Sequence, residues 1–214
     1  MKSPTTGSTS STSGVKMHRL ERRGLLATAG LALVLLTAAL PVHALDLPEL
    51  AALLAQRKSG EARFSEERIV SGFDDPLRAS GTLSFTAPDR FARHTLLPRP
   101  ESMVVDGNSL VLKRGGRSRQ MALDGVPELL AMVEALRGTL SGDVARLQQH
   151  FKVKVEGAPA RWTLTLVPRD ARLAQQLREI KITGLRSDLR SVELWLTGGD
   201  RSVMAIEPLP AAVP

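Results

Sequence analysis

The chain has 214 residues, with 29 Lys and Arg against 22 Asp and Glu, a formal net charge of +7 and no cysteine. The missing cysteine excludes disulfides, thiol nucleophiles and thiolate metal sites. Aromatic residues make up 3% of the sequence, with no Tyr, so stacking platforms for sugars or bases are sparsely supplied.

Residues 1–14 are mostly Ser, Thr and Gly and cannot bury a core. Met17 opens a basic segment with Arg19, Arg22 and Arg23 and is the expected true start. An apolar run from Gly24 to Leu40 and the tripeptide Val42-His43-Ala44 follow, which together indicate a secretory signal peptide over 1–44, cleaved after Ala44. The run is shorter than the roughly 20 residues of a membrane-spanning helix. Arg22-Arg23-Gly24-Leu25-Leu26 is loosely similar to a twin-arginine signal, with Glu21 against it, so the export route stays open. The leader carries five of the 29 basic and one of the 22 acidic residues, leaving 24 against 21 over the 170 residues of 45–214. A net charge of +3 does not imply strong nucleic-acid binding, and 170 residues suffice for one domain.

Pro48 to Arg57 reads as a short helix with Leu50, Leu53 and Leu54 on one face, ended by Ser59-Gly60. EARFSEERIVSGF reads as a polar-rich strand with Phe64 and Ile69 as its apolar marks. GTLSFTAPDRFARHTLLP then alternates on both sides of Pro88-Asp89, as two strands joined by a turn. Glu101 to Asp106 and Asn108 to Arg114 flank a hairpin centred on Asp106-Gly107. RSRQMAL leads out of a turn at Gly115-Gly116. Val126 to Leu136 is helical by spacing, stopped at Gly138, with GTLSGD as a loop and Asp143 capping a second short helix. FKVKVEG and RWTLTLVP alternate as half-buried antiparallel strands. A helical turn, a strand holding Ile180 and Ile182, and a last hairpin around Gly198-Gly199-Asp200 complete the chain. Trp195 falls opposite Val192, Leu194 and Leu196 and marks a surface contact. The expected fold is mainly β, an incomplete antiparallel barrel of about ten or eleven strands with helices covering its mouth.

Catalytic chemistry is hard to place. His94 and His150 have no ligand spacing between them, and no nucleophile elbow or phosphate-binding loop occurs. Ser141-Gly142-Asp143 is explained as a loop and helix cap. Glu66-Glu67 and Asp74-Asp75 are strand neighbours that point to opposite faces. No metal, cofactor or enzymatic activity is expected. The apolar inward set fits a dry core or a cavity for an acyl chain, and the pattern alone favours the dry core.

In order, ARFSEERI, GTLSFTAPDRFAR, PESMVVDGNSLVL, FKVKVEG-x-x-x-RWTLTLVP, IKITGL and LWLTGGDRSVMAI resemble the LolA family of periplasmic outer-membrane lipoprotein carriers, over about Leu47 to Glu207. The resemblance implies an incomplete barrel with a helical lid that holds acyl chains in its interior, and raises the cavity over the dry core. It also implies a monomer in the periplasm that takes a lipoprotein or other lipid cargo from an inner-membrane exporter to an outer-membrane acceptor. The expected lining is Phe64, Leu83, Phe85, Phe91, Met103, Val105, Phe151, Val153, Trp162, Leu164, Ile180 and Ile182. One position departs. Family carriers have a lid-holding arginine before the proline of the G-x-L strand, where this chain has Ala87, with Arg90 and Arg93 nearby. This looks closer to a divergent subgroup found with lipid or polyene export machinery. The alternative is an envelope sensor or assembly factor that binds a protein partner through the same fold.

Overall fold

The computed structural model describes residues 45–210. The expected start at Met17 and the cleavage after Ala44 lie outside the described residues. Helix α1 (Leu47–Leu54) begins at a reciprocal cap. The Glu49 amide donates to the Asp46 carboxylate at 2.8 Å, and the Asp46 amide to the Glu49 carboxylate at 3.1 Å. Pro48 sits in the first turn, where its missing N–H costs nothing. The helix stops at Ala55, earlier than expected. Ser59 and Gly60 do not end it but open the first strand, paired with Thr86 and Phe85.

Six strands follow: β1 (Ser59–Ile69), β2 (Leu77–Thr86), β3 (Arg90–Leu97), β4 (Glu101–Asp106), β5 (Ser109–Arg114) and β6 (Arg117–Ala122). A short turn of 3-10 helix at Leu123–Gly125 leads into α2 (Pro127–Ser141) and α3 (Val144–His150). The second half comprises β7 (Phe151–Ala158), β8 (Arg161–Pro168), α4 (Ala171–Ala174), β9 (Leu177–Leu185), β10 (Asp188–Leu196) and β11 (Arg201–Pro208). All eleven strands form one antiparallel sheet in the order β6-β5-β4-β3-β2-β1-β11-β10-β9-β8-β7. Two meanders are therefore joined where the first strand meets the last, with Phe64 opposite Ile206 and Glu66 opposite Met204. β6 and β7 are left as opposite edges.

Alternation sets the concave face. Trp162, Leu164 and Leu166 on β8 and Leu177, Ile180 and Ile182 on β9 are buried beneath the helices. The helices press on β7, β8 and β9. Two expectations about exposure fail. Ile69 is 52% exposed, because it lies five residues from inward Phe64 and so falls on the opposite, convex face of β1. Trp195 is half-buried, its ring covered by the guanidinium groups of Arg178 at 4.9 Å and Arg201 at 4.1 Å.

The middle helix is longer than expected. α2 passes through Gly138 and ends at Gly142, which takes the left-handed conformation at φ 69°. Gly138 is there for contact: a Cβ would lie 2.6 Å from Leu147 Cγ on α3. Asp143 caps α3 as expected, accepting the Arg146 amide at 2.9 Å. At the far end of the sheet, Asp200 accepts the Ser71 amide at 2.8 Å and so ties the β1–β2 turn to the β10–β11 turn. That amide, with the Ser71 hydroxyl, holds the Asp200 carboxyl below the usual carboxylate range.

Gly184 faces Trp162 across the β8–β9 pair, and a Cβ there would sit 2.1 Å from Trp162 Cζ2. The indole cannot swing away, because its Nε1 donates to the Arg186 carbonyl at 2.8 Å. Gly184→Ala is therefore expected to destabilise by about 2 kcal/mol through overpacking, read as a lower urea midpoint. Gly198→Ala, with nothing within 4 Å of the added methyl, is expected to leave the midpoint unmoved.

Candidate functional site

Between α2 and the concave face lies an apolar cavity. Its floor is Leu83, Phe85, Phe91, Met103, Val192 and Met204, and its roof is Met132, Leu136 and Leu140 of α2. It encloses only about 80 Å³, below the roughly 300–1,000 Å³ of typical ligand pockets. At one end it is bounded by the Arg57–Asp188 ion pair. At the other it continues, past Arg93, Met103 and Met132, into a wider groove of about 670 Å³ lined by Leu112, Leu129, Leu194 and Leu196. The space exists because the helices lean on the β7–β9 wing and stand off the other strands.

Arg137 holds α2 in this position. Its side chain is buried, and its guanidinium Nη2 donates to the carbonyls of Asp89 at 2.8 Å and Gly107 at 2.6 Å. Those carbonyls belong to the β2–β3 and β4–β5 turns. Nη1 donates to Glu134 one turn back at 3.0 Å, and Glu134 also meets Arg146 of α3 at 3.5 Å. Arg137, on the helix itself, thus ties α2 to two strand turns, while position 87 carries no guanidinium. Ala87 itself uses only its amide, which donates to the Lys58 carbonyl at 2.8 Å. The signal in the sequence was Glu134 and Arg137, an i,i+3 charge pair inside an otherwise apolar helix.

A second polar group breaks the apolar face. Glu66 on β1 is 7% exposed and accepts from Arg93 Nη2 at 2.5 Å and from Ser202 Oγ at 2.6 Å. The Arg93 guanidinium also lies over the Phe64 ring, 4.4 Å from its centroid.

Of the twelve expected lining residues, Leu83, Phe85, Phe91 and Met103 meet on the cavity floor. Phe64 and Val105 pack in the core beside it. Phe151, Trp162, Leu164, Ile180 and Ile182 are fully buried in the same core, and Val153 packs against its edge. Alternation marks all of them as inward and cannot tell the filled wing from the open one. Of the roof, spacing places Leu136 on the apolar face of the helix, with Leu129, Leu130 and Val133, and does not mark Met132 or Leu140. The common step between Met132, Leu136 and Leu140 along α2 was the available signal.

Among the described residues, catalytic groups do not converge. His94 is exposed on β3, and His150 ends α3. Ser141 is not in a loop but is the last residue of α2, its hydroxyl donating to the Arg137 carbonyl at 2.6 Å. Among the described residues no group of three or more His, Asp or Glu is placed to hold a metal.

The sequence profile of the outer membrane lipoprotein carrier protein LolA-like family matches residues 38–206, and the chain belongs to that family. An outer-membrane lipoprotein carrier protein of Pseudomonas syringae pv. syringae is 28% identical over 174 residues, 80% of each chain. Another, from Pseudomonas fluorescens, is 30% identical over 149 residues, covering 69% of this chain and 71% of its own. A solved LolA superfamily protein from Nitrosomonas europaea aligns with a TM-score of 0.43 at 10% identity, over 78% of this chain and 93% of that one.

Arg137→Ala strips a buried carboxylate of its closest partner and frees two turn carbonyls. It is expected to cost about 3 kcal/mol and to speed hydrogen exchange in α2 more than in β8. Arg114→Ala, which removes an exposed pair with Glu101, is expected to cost well under 1 kcal/mol. Urea denaturation with exchange mass spectrometry reads both.

Proposed function

We propose that this chain is a non-catalytic periplasmic carrier. It binds the acyl chains of a lipoprotein, or of another acylated molecule, beneath α2 and moves them from an inner-membrane exporter to an outer-membrane acceptor. The observation that carries this reading is the apolar cavity between α2 and the β1–β4 wing, continuous with a wider groove, in a member of the LolA-like family. The basic and apolar leader ending at Val42-His43-Ala44 supports export.

The closed cavity is too small for a full acyl chain, so loading requires α2 to rise from Leu83, Phe85 and Phe91. Each methylene buried there contributes about 0.8 kcal/mol before ordering costs. A few hydrogen bonds from Arg137 set the opposing term. Loading and release are then shifts between closed and open populations, biased by cargo at one end of the route and by the acceptor at the other.

Native mass spectrometry of the protein purified from a periplasm without detergent tests the reading, with solvent extraction of whatever is bound. A discrete added mass that extracts as an acylated molecule is the expected result. Leu83→Glu, which places a charge on the cavity floor, is expected to abolish uptake of a fluorescent acyl probe while the protein stays folded. A clean apo mass with no probe uptake would overturn the carrier and favour the protein-partner reading.

A further inference from the structure

The concave face changes character along its strands. On β1 the inward residues run from Ala62 and Phe64 to Glu66 and Arg68, and on β3 from Phe91 to Arg93 and Thr95. On β11 they run, in the same direction, from Ile206 and Met204 to Ser202. One half of the face is thus apolar and covered by α2, while the other is polar and opens into the wide groove.

The polar half is built at a cost. Burying the Glu66 carboxylate carries a desolvation penalty that pairing with Arg93 offsets only in part, and apolar residues there would have continued the core. The pair is also not self-contained. Arg93 Nη2 serves Glu66 and its Nε lies 3.4 Å from Thr95 Oγ1, while Nη1 has no protein partner among the described residues. Arg68, which lines the same groove, has no carboxylate within ion-pair distance among the described residues. Asp200, held by the Ser71 amide, faces the Arg68 charge from beyond ion-pair distance, and Arg201 pairs with Glu193 at 2.9 Å. The groove is lined by five basic side chains (Arg68, Arg93, Lys113, Arg114 and Arg201) and four carboxylates (Glu66, Glu101, Glu128 and Asp200), beside Leu112, Leu129, Leu194 and Leu196, which leaves a formal charge of one positive on its wall.

We propose that this end of the concave face binds an anionic headgroup, a phosphate or carboxylate, on an amphiphile whose acyl chain lies under α2. Arg68 and Arg93 contact the anion. Glu66 braces Arg93 and tempers its charge, which keeps the cargo releasable. The proposal rests on the carrier reading and narrows its cargo to anionic amphiphiles.

Displacement of a fluorescent acyl probe from the purified protein tests it, with dodecyl phosphate, dodecyl maltoside and inorganic phosphate as competitors. Dodecyl phosphate is expected to displace the probe at about tenfold lower concentration than dodecyl maltoside, as one charge-assisted contact allows. Inorganic phosphate is expected to displace neither the probe nor dodecyl phosphate. Arg68→Gln and Arg93→Gln are each expected to bring the ratio towards one, whereas Glu66→Gln raises it by removing the competing anion. Arg93→Gln and Glu66→Gln break the same buried pair, so a purely structural role would move both ratios the same way and overturn the proposal. Arg68 is exposed, and its variant keeps the test intact should the pair variants fail to fold. Equal displacement by the two amphiphiles would overturn the headgroup site and leave the carrier standing. Competition by inorganic phosphate would make it a free-anion site instead, and no probe binding at all would remove the carrier reading as well.

Discussion

The pairing of the first strand with the last governs this molecule. Because β1 joins β11, the two meanders fuse into one sheet, and β6 and β7 become its opposite edges. Residues 123–150 must then carry the chain from one edge to the other. They cross the concave face, so α2 covers the inner surface through connectivity alone. Its middle is buried at Ala131 and from Val133 to Thr139, which is why a helix of modest amphipathicity holds Ala135, Gly138 and Thr139 where a surface helix would carry charge.

A bridge of this kind rests unevenly. It packs down on β7–β9, where Phe151, Trp162, Leu164, Ile180 and Ile182 fill the space. Over the other wing it spans a gap, and the gap is the cavity. The filled wing anchors the helices, and the open one keeps an apolar floor under thinner contact. The Arg137 contacts fall on carbonyls of two turns of the open wing, so the helix is tied there by directional bonds where apolar packing is thin.

Alternation is local, and so most strands were legible in the sequence. FKVKVEG and RWTLTLVP fall where their period puts them, and the β4–β5 hairpin forms where expected but one residue on, its turn at Gly107-Asn108 with Asp106 paired to Ser109. What depended on distant contacts was not legible. Gly138 reads as a helix stop until Leu147 is seen to need the missing Cβ. Ile69 reads as an apolar mark of β1 like Phe64, yet at a spacing of five it falls on the outward face. The Arg137–Asp89 contact and the Glu66–Arg93 pair join residues 48 and 27 positions apart in the chain; the Glu134–Arg137 charge pair shows in the sequence, its distant partners do not. For the same reason the cavity floor could be read only as part of a longer inward set.

The β1–β11 seam also has a consequence in time. Its register brings Ala62 against Pro208 and Ile69 against Arg201, across almost the whole length of the fold. Each meander can zip from neighbouring hairpins, but closing a loop of that size carries a large entropic cost before any contact rewards it. The seam cannot begin to form until the last strand is available. Until then neither edge of the seam is paired, and the two halves of the concave face are separate, sticky surfaces. A chain with this order of strands spends the vulnerable part of its folding at the end, when an accompanying holdase would matter most.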